Sequence, residues 1–182
     1  FYERVLDPIG GTRYVAKLTA YSGAPGRCEM RPSVEDPPGP GPDYGTRWFY
    51  FETLFLDWPI DRSRSVTASI SSKLGDARDM IAQLHDTADV GDTTHQPPFM
   101  LAVEGERIYF YTSYDTSATT VATAPNLRVL QSFPLDRGRW IKWALHIKYT
   151  INNDGFMHLY KDRRKVYSVT ATPTAYNDTV GP

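Results

Sequence analysis

Apolar and polar positions alternate along residues 140–149. Ile141, Trp143, Leu145, Ile147 and Tyr149 share one face, and Trp140, Lys142, Ala144, His146 and Lys148 share the other. A period of two marks a strand with one buried side. The same period runs through residues 13–21. It returns at 27–31, where Arg27, Glu29 and Arg31 oppose Cys28 and Met30. Residues 48–55 (Trp-Phe-Tyr-Phe-Glu-Thr-Leu-Phe) have the strongest strand preference in the chain. Residues 99–103 and 107–111 flank Glu104-Gly105-Glu106 and predict a hairpin. Residues 156–161 and 165–170 predict another, entered by the turn at 152–155 and closed at Asp162-Arg163-Arg164.

Between these strands lie the breaks. Pro37-Pro38-Gly39-Pro40-Gly41-Pro42 cannot join a central ladder, and residues 86–98 and 112–126 read as long polar loops. Residues 63–76 fit either a strand with a turn or an irregular crossing. No internal repeat and no amphipathic helix is visible. The pattern predicts an all-β chain, with its strands in two antiparallel sheets that hide their apolar faces against each other as a sandwich or jelly roll.

One stretch departs from simple core patterning: Met80-Ile81-Ala82-Gln83-Leu84-His85. As a regular strand it would send Met80, Ala82 and Leu84 into the core. Ile81, Gln83 and His85 would then stand on the opposite face, an amide beside an imidazole on a rigid support. With Arg27, Glu29 and Arg31 from the earlier strand, these groups offer fixed donors to a carboxylate and a base near neutral pH. That combination suits an anionic, carboxylate-bearing ligand with proton transfer available.

Composition narrows the field. A length of 182 residues fits one domain over 1–182. The balance of 20 Lys+Arg against 21 Asp+Glu supplies no global field for nucleic acid or a membrane surface. No apolar run approaches the ~18 residues of a bilayer span. Twelve Tyr, eight Phe and four Trp suit pleated sheets and sugar-contacting surfaces. Cys28 is the lone cysteine, so no intrachain disulfide forms.

Arg27-Cys28-Glu29-Met30-Arg31 resembles the Arg-x-Glu strand of the β-jelly-roll polysaccharide lyases, and Gln83-Leu84-His85 resembles their Gln-x-His strand. This group includes the alginate, glucuronan and heparin lyases of concanavalin-like fold. The order of features is similar as well: a Trp-bearing strand, the Gln-x-His strand, a hairpin led by Pro97-Pro98, then Arg139-Trp140 and a turn at Asn153-Asp154-Gly155. The resemblance runs from about Asp7 to Pro182. It implies a two-sheet jelly roll and a secreted, extracellular enzyme that cleaves a uronic-acid-containing polysaccharide by β-elimination. Arg27 and Gln83 match the positions that neutralise the uronate carboxylate, and His85 matches the position that takes, or helps take, the C5 proton. Glu29 would orient Arg27, and Arg31 would contact substrate. The other reading is a non-catalytic carbohydrate-binding or structural module on the same scaffold.

The family's third motif, a late strand bearing the catalytic tyrosine, would begin about where Val180-Gly181-Pro182 ends the sequence. The expectation is that this place is filled by residues beyond Pro182 or by a strand from a partner chain, which would make a homo-oligomer or filament. No cofactor is expected. Asp86, Asp89 and Asp92 carry calcium-binding chemistry, but their spacing misses the known loop signature. His95 has no partner spacing in the sequence and reads as a loop residue. His146 and His158 read as part of a solvated convex sheet.

Overall fold

The computed structural model describes residues 2–18, 45–56, 79–84, 88–122 and 125–178, and every regular element among them is a strand. Contacts divide the chain into two units, Phe1–Pro37 and Pro38–Pro182. In the first, β1 (Tyr2–Leu6) and β2 (Tyr14–Leu18) form an antiparallel hairpin in unbroken register from Tyr2↔Leu18 to Leu6↔Tyr14. Its loop is organised by Asp7. The Asp7 amide donates to the Arg13 carbonyl, while its carboxylate accepts from the Ile9 amide and from Arg13 Nε.

The second unit holds β3 (Thr46–Leu54), β4 (Asp79–Leu84), β5 (Phe99–Glu104), β6 (Arg107–Thr112), β7 (Arg128–Pro134), β8 (Trp140–Lys148), β9 (Gly155–Lys161) and β10 (Arg164–Thr172). They form two four-stranded sheets, ordered β10-β9-β8-β3 and β4-β5-β6-β7, and every ladder is antiparallel. Alternation decides what each strand buries. In β8, Ile141, Trp143, Leu145 and Ile147 point inward, as the pattern predicts. They meet Leu101, Val103, Ile108, Phe110 and Phe133 of the other sheet, with Met157 and Leu159 of β9 completing the layer. Each such side chain taken out of water stabilises the sandwich by about 1.5–3 kcal/mol before entropy is counted. Trp143 also satisfies its one polar atom, donating from Nε1 to Thr53 Oγ1 at 3.0 Å.

Turn chemistry explains the hairpins. The β5–β6 turn has its single positive φ at Gly105 (58°), the first central position, which is the type II′ requirement. The β9–β10 turn has positive φ at both Asp162 and Arg163, the type I′ pattern, without glycine. Asp162 is held there by its own contacts. Its amide donates to the Lys142 carbonyl, and its carboxylate accepts from the Lys142 amide and Arg139.

Two strands, β1 and β7, carry no clear alternation in the sequence and emerge only in the structure. Two expectations fail: Met80 is 45% exposed rather than in the core, and Ile81 packs on the core rather than standing on the opposite face. Met80 pairs with Ala102 and Ala82 with Leu101, so Ile81 is an extra residue in a bulge. The bulge resets the phase of the strand. Ile81, Ala82 and Leu84 all pack on the sandwich core, and Met80 is displaced from it. The expected core placement of Cys28 and Met30 concerns residues outside those described, as does the segment 63–76.

Candidate functional site

Gln83 is the sequence-predicted site residue that falls among the described positions. Arg27, Glu29, Arg31 and His85 lie outside them, as does Asp86. The bulge just before it fixes where Gln83 stands. Gln83 pairs with Met100, and Met100 pairs with Tyr111. Met100, Ala102, Tyr109 and Tyr111 form a second cluster, separate from the sandwich core. Residues directly opposite in a ladder share a face. Gln83 therefore belongs to the face of the β4-β5-β6-β7 sheet turned away from the sandwich interior, as predicted, although the prediction does not survive at Met80 or at Ile81.

The neighbours on this face are aromatic and half polar. Tyr109 and Tyr111 have ring centroids 6.0 Å apart. Burial pushes the Tyr109 phenol above its ordinary value, partly opposed by the Arg107 charge and reinforced by Glu104. Tyr109 is thus a protonated phenol at neutral pH, a donor and not an anion. Leu127 and Val129 pack against the cluster from the entry to β7. The face carries an amide on β4 and two phenols on β6, with Met100 and Ala102 of β5 between them.

A second polar group, which the sequence did not reveal, lies in the loops that follow β4 and β10. His95 Nδ1 is 3.2 Å from the Thr93 carbonyl, its Nε2 reaches Asp178, and its ring stacks on Tyr176 with centroids 3.7 Å apart. Tyr176 Oη donates to Ser113 Oγ, which donates on to the Pro125 carbonyl. His95 is a loop residue, as read, but a buried one held by partners. No local spacing could have announced a partner at Asp178. In the same loop Asp92 spends an oxygen on the Thr120 amide. Among the described residues no group of three His, Cys, Asp or Glu is placed to hold a metal ion.

The polysaccharide lyase family matches residues 45–182. The chain belongs to that family. The matched span includes Gln83 and His85, and begins after Arg27, Glu29 and Arg31. An endo-β-1,4-glucuronan lyase from the fungus Trichoderma reesei has a similar solved structure, with a TM-score of 0.57 at 16% identity. The similarity covers 78% of this chain and 55% of that one, so the chain spans about half the length of the fungal enzyme. At that identity the likeness carries the fold: the lyase-family chain is an all-β, two-sheet antiparallel β-jelly roll. No curated protein sequence matches it.

Proposed function

We propose that the protein cleaves a uronic-acid-containing polysaccharide by β-elimination, acting outside the cell. The observation that supports this reading best is the place of Gln83: inside the family-matched span, on a strand face pointing away from the core, with two phenols on the same face two strands away.

The chemistry sets the roles. The C5 proton of a uronate is a poor acid until the charge of the adjacent carboxylate is offset. Gln83 and Arg27 would donate to that carboxylate and hold the enolate-like anion, a preorganised electrostatic contribution. His85 would accept the C5 proton. The C5 electron pair forms the C4=C5 bond, the C4–O bond breaks, and a tyrosine hydroxyl protonates the departing oxygen. Glu29 would fix the Arg27 guanidinium, and Arg31 would bind a neighbouring uronate.

The test is the ultraviolet absorbance of the new C4=C5 bond, with glucuronan, alginate and heparin offered separately. Glucuronan comes first because the fungal neighbour acts on it. Absorbance should rise with at least one polyuronate and fail to rise with His85→Ala. No rise with any of the three, or equal rates in wild type and His85→Ala, would reject the assignment.

A further inference from the structure

The outward face of the β10-β9-β8-β3 sheet carries an unbroken set of rings. Register assembles it: Trp48 lies opposite His146, which lies opposite His158, and Tyr50 lies opposite Ala144, which lies opposite Tyr160. The Trp48 indole stacks flat on the His146 imidazole, with centroids 4.1 Å apart and planes within 4°. Tyr50 lies parallel to Trp48 at 5.7 Å, and Tyr160 is 5.6 Å from it. Phe156 continues the set, 4.7 Å from His146 and 4.9 Å from His158. Despite this stacking, Trp48 is 46% exposed and Tyr50 73%. A contiguous exposed aromatic surface of this kind points to a partner.

The polar groups on the face say which partner. Lys142, Lys148 and Lys165 stand there against Glu52 and Asp154. Lys142 is 3.8 Å from Glu52 and Lys148 bonds to Asp154, while Lys165 sits 5.7 Å above the Tyr160 ring. One ammonium therefore exceeds the carboxylates, and the two imidazoles, held below their ordinary 6.5, add neutral hydrogen-bonding groups. Ala144 leaves a shallow gap between Tyr50 and Tyr160, and Ser168 Oγ lies 2.9 Å from His158 Nδ1 at the edge of the set. Flat rings, hydroxyls, neutral imidazoles and one ammonium in excess fit a pyranose chain that bears carboxylates. Its C–H faces lie on rings, its hydroxyls meet Ser168 and the imidazoles, and its carboxylates meet Lys165.

We propose that this face is a second saccharide-binding surface that holds an acidic polysaccharide, on a different sheet from Gln83. It goes beyond the lyase reading and does not depend on it. The surface keeps the polymer on the protein while residues elsewhere act on it, an avidity effect that short oligosaccharides would not show.

The experiment is gel retardation of the full chain in glucuronan, alginate and a neutral β-glucan, beside cleavage of short oligouronates. Wild type should be retarded by the acidic polymers. Trp48→Ala and Tyr50→Ala should each weaken apparent affinity roughly 3- to 10-fold. Lys165→Gln should weaken it for acidic polymers alone, with rates on short oligouronates unchanged in all three. Tyr50 projects into solvent, so its loss leaves the fold intact and the result readable even if Trp48→Ala misfolds. Wild-type affinity in Tyr50→Ala would overturn the proposal. So would equal retardation by the neutral glucan, or a dimer in sedimentation that Tyr50→Ala dissociates. If no polyuronate is cleaved, the lyase reading fails while the retardation result stands.

Discussion

His95 Nε2 lies 3.3 Å from Asp178 Oδ2, with the two side chains 0% and 1% exposed. The pair ties the loop before β5 to the segment after β10. Burying such a pair contributes little net stability compared with apolar packing, but removing one member leaves the other stranded in a low-dielectric site.

His95→Ala should therefore lower unfolding free energy by about 3–5 kcal/mol. Asp178→Asn, which retains an acceptor for the ring nitrogen, should lose less. Urea midpoints at constant m-value measure both. A His95→Ala midpoint indistinguishable from wild type would mean that the contact is incidental.

Gly155 and Gly138 should separate two kinds of glycine requirement. A Cβ at Gly155 would collide with the Thr172 carbonyl oxygen, a backbone atom that cannot swing aside. Gly138 has φ of +71° but open space around its missing Cβ. Gly155→Ala should cost about 1–3 kcal/mol through displacement of β10. Gly138→Ala should cost roughly 1 kcal/mol, from backbone conformation alone. Thermal melts of the two variants in parallel would show the order.

Two pH windows follow from the charged groups. The Asp136 carboxyl is held below its ordinary 3.8 by hydrogen bonds from Lys161 and Arg139. Burial pushes Asp162 up, but its bonds to the Lys142 amide and Arg139 carry it below 3.8. These carboxyls bind protons less readily when folded, so the stability they contribute is present above pH 3.8 and is lost as pH falls through their lowered values. Burial and the Lys165 charge likewise hold His146 and His158 below their ordinary 6.5. Their contribution starts to decline once pH drops under 6.5, well before the carboxyls titrate. Urea midpoints from pH 3 to 8 should show both slopes. Lys165→Gln should flatten the upper one and Arg139→Gln the lower.

Gln83→Ala should reduce kcat by about 10²-fold or more if the amide stabilises the developing anion. Far-ultraviolet circular dichroism should be unchanged, because Gln83 faces away from the sandwich core. A rise in KM at constant kcat would instead assign Gln83 to ground-state binding.

What the sequence made legible was whatever a period of two controls. The inward set of β8, the two hairpins with their turn residues and the outward face of Gln83 all follow from local alternation and turn chemistry. Met80 was misplaced because one inserted residue, Ile81, shifts phase without changing composition. β7 escaped because Arg128-Val129-Leu130-Gln131-Ser132 breaks alternation at its own bulge, between the Phe110↔Gln131 and Tyr111↔Val129 pairs. The His95–Asp178 contact was invisible for a different reason: nothing in either neighbourhood encodes a partner so distant along the chain. The aromatic face was half visible. His146 and His158 fell on the outward side as read, but the stacking of His146 on Trp48 depends on the pairing of β3 with β8.

That pairing also has a consequence during synthesis. β3 finds its ladder partner about ninety residues later in the chain, which at ribosomal speeds is a delay on the order of ten seconds. Throughout it, Trp48-Phe49-Tyr50-Phe51 stands outside the ribosome without its ladder partner and with its rings uncovered, while β5–β6 closes at once through its two-residue turn. The nascent chain should therefore be most open to chaperone capture and misassociation between the emergence of β3 and that of β8.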